Sequence, residues 1–316
     1  MALAALAAVS IGVTVGPRVR FEDRWTEAEL SDDLDGWLDA REAAVPGIRT
    51  GDEKSIVWAE PGAREKTPIS IVYLHGFSAD RHEIEPVLTK LAGEEGINVY
   101  FTRLRGHGRD GPAMAEATVE SWLDDTAEAV AIGAEIGDRV VVVGTSTGGT
   151  LATWAATRPE AEGRIDALVL VSPNYQPKDR TSRILLYPWG SVIAGLVIGE
   201  ERCFEPENEA QERHWTTCYP TSVLATMMAL VEHVRKMALD AIRVPTLVLY
   251  DAADQVVEPD ETLRVVGRMT GVTPTLHEVR STSDPAHHVL AGDIVSPASN
   301  DEVSTTLRNF LEEVAR

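Results

Sequence analysis

Lysine is nearly missing: five residues among 316, against 50 aspartates and glutamates, for a formal charge of −21. That excludes the basic footprint a nucleic-acid binder needs, and it disfavours anionic substrates, which the field of the whole molecule would repel. Such a composition fits an ordinary soluble enzyme or one adapted to salt. No internal repeat or low-complexity tract is present, which leaves out repeat architectures. No apolar stretch reaches the roughly twenty residues that span a bilayer. The opening segment, Met1–Gly16, is uncharged and mostly apolar but shorter, and it lacks the positive start of a secretory signal. Arg18 and Arg20 follow it. A shortened membrane anchor, a signal-like remnant and an amphiphilic helix packed on the body or a partner all fit. Membrane proximity and location, cytoplasmic or exported, stay open with that choice.

What is present is a regular alternation. Strand-like runs near 55–59, 69–74, 98–103, 139–143, 167–171, 246–250 and 275–280 alternate with helical patterns, which predicts an α/β chain: a mostly parallel sheet with helices on both faces. The closing helix carries Val303, Leu307, Phe310, Leu311 and Val314 on one face. Trp25, Leu30, Leu34, Trp37 and Leu38 fall at helical spacing, so residues 21–50 read as a helical extension after an apolar segment over 1–20. The core then takes 51–173 and 241–316, and 174–240, far longer than an ordinary connection, reads as an inserted cap.

The most informative five residues are Gly144-Thr145-Ser146-Thr147-Gly148, directly after Arg139-Val140-Val141-Val142-Val143. A serine where a buried strand turns sharply into a helix has the pattern of a nucleophile elbow. Glycine two positions before and after removes side chains that would collide with neighbouring backbone. The following helix aims free N–H groups and its positive end at the reacting centre. A phosphate-binding loop fails because Thr150 stands where its lysine belongs.

Such a serine needs a histidine to take its proton and a carboxylate to orient the histidine, with the acid preceding the base in the chain. Asp251 and Asp254 compete in the loop after Thr246–Tyr250. Asp254 is favoured because it lies far enough into the loop to turn back. His287 and His288 compete after the last strand, and His288 is favoured because Val289 and Leu290 can anchor it. The pair of adjacent histidines lacks metal-ligand spacing and no Cys/His/carboxylate cluster accompanies it, so the pair does not read as a metal site. One oxyanion N–H would come from Thr147 and a second from Phe77, in the loop His75-Gly76-Phe77 after the central strand. His75 reads as a brace for that loop.

On His75-Gly76, Arg105-Gly106-His107-Gly108, the elbow, Asp254 before Val256-Val257, and His288 before Val289-Leu290, residues 55–316 resemble the α/β-hydrolase superfamily, in its carboxylesterase and monoacylglycerol-lipase-like branch. The resemblance implies a cofactor-free serine hydrolase that cleaves carboxylic esters through an acyl-enzyme, its partner a small ester. It departs from the family at Arg103, where many relatives carry aspartate, at Asp251 and at His287.

Short- to medium-chain acyl esters are the expected substrates, with monoacylglycerols among them. A thioesterase, lactonase or carbon–carbon bond hydrolase would use the same three residues, and a non-catalytic binding module would have lost one of them. Within the cap, Trp189, Trp215, Met227 and Met228 are expected to line an acyl pocket, since methionine and aromatic side chains accept varied apolar ligands. Val223, Met227, Leu230, Val231 and Val234 form a helical stripe. Cys203 and Cys218 fit either a disulfide tying one cap loop, in an oxidising compartment, or two separate thiols.

Overall fold

The run of valines builds the centre of the molecule. Strand β4 (Val140–Thr145) is buried at every position, as β-branched residues allow in a strand covered on both faces. It pairs in parallel with β2 (Ser70–Leu74) on one side and β5 (Ala167–Val171) on the other. Beyond β2 lie β3 (Asn98–Phe101), parallel, and β1 (Ser55–Val57), the one antiparallel edge. Beyond β5 lie β8 (Thr246–Tyr250) and β9 (Thr275–Glu278), both parallel. The sheet order is β1-β3-β2-β4-β5-β8-β9, so all seven expected strands join one mostly parallel sheet. This computed structural model describes residues 16–316, and the apolar segment over 1–15 lies outside the described residues.

Alternation along β2 divides the core. Val72 and Leu74 face a cluster with Trp122 and Leu123 of helix α3 (Val119–Ile136) and Leu151 and Trp154 of α4 (Thr147–Ala156). Ile71 and Tyr73 face Leu88 and Leu91 of α2 (Glu85–Glu95) and Phe310 and Leu311 of the closing helix (Asn300–Ala315). Each face of the sheet therefore has its own apolar layer.

The extension expected to be helical over 21–50 is so only at α1 (Leu34–Ala43), which Asp33 caps through Gly36 N–H. Residues 17–31 carry no helix. Their large side chains are used one by one on the body rather than along a single face. Phe21 meets the His233 ring edge-on, Trp25 stacks on Trp154, and Asp23 accepts the Trp154 indole N–H at 2.8 Å while pairing with Arg158 at 3.0 Å.

Residues 174–240 hold a 3-10 turn (Arg180–Leu186), α5 (Gly190–Ile198), the short strands β6 (Glu201–Cys203) and β7 (Cys218–Pro220) with α6 (Glu209–His214) between them, and α7 (Val223–Lys236). β6 and β7 pair antiparallel with Cys203 opposite Cys218, and the two cysteines form a disulfide. This hairpin has no alternating pattern to announce it. The α7 stripe is buried against α4 and the body as expected. Helix α5 is different: Leu196 and Val197 are 84% and 76% exposed. Among the described residues no helix is long and apolar enough to cross a membrane.

Candidate active site

Ser146 sits between β4 and α4 with φ 52° and ψ −113°, a conformation L-residues avoid unless the surroundings over-determine it. The flanking glycines are required by contact. A Cβ on Gly144 would stand 2.4 Å from Gly148 O, and one on Gly148 would stand 1.9 Å from Leu74 O. The bend is held by Ser146 N–H donating to Val171 O and by Asn174 and Thr150 N–H donating to Ser146 O.

The two aspartates and two histidines of the later loops sort into two pairs. His288 Nδ1 lies 2.8 Å from Asp254 Oδ2, buried, while His287 Nδ1 lies 2.8 Å from Asp251 Oδ2 nearer the surface. Residue 287 takes φ 56°, which turns the adjacent imidazoles apart. Asp254 is aimed by its own loop: its other oxygen accepts the N–H groups of Val256 and Val257 at 2.7 and 2.9 Å. The backbone of His288 is gripped by Asp284, whose Oδ2 accepts the N–H groups of His288 and Val289, both at 2.8 Å, and by Ser172 Oγ donating to His288 O. Burial pulls the His288 pKa down, but the Asp254 charge and hydrogen bond outweigh it and leave the imidazole above its ordinary 6.5. Asp284 carried no sequence signal beyond its place two residues before Ala286.

Ser146 and His288 line one cavity of about 670 Å³, together with Gly76 and Phe77. Among the described residues no hydrogen bond joins the Ser146 hydroxyl to His288. Such bonds are often long in a free enzyme and tighten with substrate. Neither Phe77 N–H nor Thr147 N–H donates to another group among the described residues, so both can receive an oxygen.

Both motif histidines brace the Phe77 loop. Leu104 N–H donates to His75 Nε2 at 3.0 Å, so the His75 proton sits on Nδ1, facing Gly76 O at 2.9 Å. Ser78 N–H donates to His107 Nε2 at 3.1 Å, leaving its Nδ1 toward Arg105 O. Burial lowers the pKa of both, which keeps them neutral, as these bonds require. A further brace was missed by the sequence reading. Buried Glu83 accepts Gly76 N–H at 3.0 Å and the Tyr73 hydroxyl at 2.7 Å, and burial raises its pKa.

Residues 174–240 close the cavity with apolar side chains. Trp215 and Met227 line it, with Leu224 and Val197. Trp189 and Met228 do not, contrary to expectation. Adjacent residues on α7 face about 100° apart, so when Met227 faces the cavity Met228 packs into the core, where it is buried. Trp189 lies outside, its ring against Gly16 and its backbone N–H donating to Pro17 O at 2.8 Å.

Arg103, the departure before the Arg105–Gly108 motif, is buried and meets Glu42 of α1 through two bonds, at 2.6 and 2.8 Å, while also donating to His107 O. The extension thus supplies the carboxylate that steadies this loop.

Comparison with known proteins agrees with this architecture. A thermostable monoacylglycerol lipase from Bacillus sp. (strain H-257) is 31% identical over 98 residues, a match spanning 31% of this chain and only 39% of that protein. Among solved structures, a metagenome-derived lipolytic enzyme of the LipS and LipT study superposes with a TM-score of 0.66 at 19% identity, covering 84% of this chain and 99% of that one. A soluble variant of monoglyceride lipase from Saccharomyces cerevisiae, in complex with a substrate analog, gives 0.59 at 13% identity, covering 94% and 99%. At these identities the structural likenesses establish the fold. The family model for serine aminopeptidase, S33, matches residues 66–283, from β2 to the loop before His287 and His288, and by that match the chain belongs to the serine aminopeptidase, S33 family of α/β hydrolases.

Proposed function

We propose that the protein is a serine carboxylic-ester hydrolase acting through an acyl-enzyme on short- to medium-chain acyl esters, monoacylglycerols among them, with residues 174–240 as its cap. The observation that carries this reading is Ser146, held at φ 52° on the wall of a largely apolar cavity that it shares with the Asp254-paired His288. His288 Nε2 takes the Ser146 proton as Oγ attacks the ester carbonyl, and Asp254 holds the Nδ1 proton and favours the imidazolium that forms. The N–H groups of Phe77 and Thr147 receive the oxyanion. His288 then protonates the departing alcohol, and water repeats the sequence on the acyl-enzyme. The cavity volume suits an acyl chain of modest length.

The test is labelling by a serine-directed phosphonate alongside turnover of p-nitrophenyl and glyceryl esters graded by chain length. The parent is expected to label and to prefer short or medium chains. Ser146→Ala should not label and should lose at least about a thousandfold in kcat/KM. Equal labelling and turnover in both proteins rejects the nucleophile, and turnover confined to thioesters or amides rejects the ester reading.

A further inference from the structure

A second cluster of chemistry-bearing side chains lies where the cap meets the body, and none of its members lines the cavity. We propose that Asp52, Asp80, His82 and His214 form a zinc site that ties the cap to the body. Asp52 comes from the stretch before β1, Asp80 and His82 from the loop that continues past Phe77, and His214 from the end of α6 in the cap. The four ligand atoms all lie within 4.8 Å of one another. A single ion at this point would join three segments far apart in the chain.

The separations suit a small tetrahedral ion. His214 Nδ1 is 3.4 Å from Asp80 Oδ2 and 3.2 Å from Asp52 Oδ1, and His82 Nδ1 is 3.4 Å from Asp52 Oδ1, while the second oxygen of Asp80, Oδ1, meets His82 Nδ1 at 3.0 Å. Ligands 2.0–2.1 Å from a tetrahedral zinc stand about 3.3 Å apart along each edge. Two imidazole nitrogens with two carboxylate oxygens select zinc over calcium and magnesium, which want six or more oxygens.

A second observation points to a missing ligand. Asp80 Oδ2 is fully buried, belongs to a side chain only 1% exposed and makes no hydrogen bond, although it faces the cluster. An unsatisfied buried carboxylate oxygen is costly. The rings of His82 and His214 stack with their centroids 3.8 Å apart, which holds the two imidazoles side by side. The outer groups hold the cluster in place. Glu85 Oε2 stands 3.6 Å from the outer nitrogen of His82, Nε2, and Arg49 takes the outward Asp52 Oδ2 at 2.6 Å, leaving Oδ1 inward. Arg49 Nη2, 3.9 Å from Asp80 Oδ2, donates to His214 O instead. His82 and His214 are partly exposed, which gives an ion a way in.

The experiment uses the full chain, free of any affinity tag and with Cys203–Cys218 kept oxidised, stripped by chelator and titrated with zinc chloride. Calorimetry reads affinity and elemental mass spectrometry reads stoichiometry. One zinc per chain is expected in the parent, with affinity at least about a hundredfold weaker in both His214→Ala and Asp80→Asn, and no comparable binding of calcium or magnesium. Zinc should raise the Tm of the parent and leave that of His214→Ala unchanged. Both variants are first melted in chelator, and one that fails to fold is replaced by His82→Ala. A parent that takes up no zinc, or folded variants that bind as tightly as the parent, overturns the site.

Discussion

At the residue scale, Ser146 and His288 carry opposite kinds of stored energy. The backbone of Ser146 occupies a region that costs about 1–3 kcal/mol for a residue with a Cβ. Glycine adopts it freely, so Ser146→Gly is expected to abolish labelling while raising the Tm, read by calorimetry. An unchanged or lower Tm would show that the bend is not strained. As the proposed base, His288 must be neutral to accept a proton, and the Asp254 carboxylate outweighs burial and holds its pKa above the ordinary 6.5. The acidic limb of kcat/KM should therefore fall above pH 6.5, with activity lost as pH drops through it. A profile flat down to pH 6 would contradict the Asp254–His288 pairing as the base.

At the scale of elements, the extension is locked to the core by buried charge. Burial alone would raise the Glu42 pKa, but the bonds and charge of Arg103 outweigh it and hold it low. A carboxylate depressed in the folded state stabilises fully above its unfolded value near 4.5, and that contribution fades as pH falls through the lower folded value. Glu42→Ala leaves Arg103 buried without its partner, which should cost about 3–5 kcal/mol in urea unfolding at pH 7. A cost below about 1 kcal/mol would mean that water or another acid replaces it. The strands, the closing helix and the elbow were legible because their signal is periodic or local: a buried valine run and two glycines two positions either side of a serine. Glu42 was not, since it meets Arg103 across 61 residues. Glu83 and Asp284, only 7 and 4 residues from Gly76 and His288, were hidden for a different reason: each acts through backbone N–H groups that sequence does not mark. The extension misled because helical spacing of Trp25 and Leu30 can also arise when side chains find separate docking points.

At the scale of the whole molecule, the charge of −21 sets the response to salt. Screening at molar ionic strength shortens the reach of mutual repulsion to about 3 Å, so folding and ester turnover should persist there. Joint collapse of both in molar sodium chloride would remove that expectation. The chamber itself is shared between the sheet-based body and residues 174–240, and Met227→Trp, filling it from α7, should shift preference toward shorter acyl chains with kcat/KM for the longest falling at least about tenfold. An unaltered preference would place the acyl group elsewhere.

Helix α5 lines the chamber through Ile193, Ala194 and Val197 while much of its outer side meets solvent. The partition between ligand and bulk is there a single helix thick, and none of its residues belongs to the sheet. Exchanging side chains on its inner surface would retune which molecules fit the chamber with little penalty to folding, because the sheet behind it stays untouched.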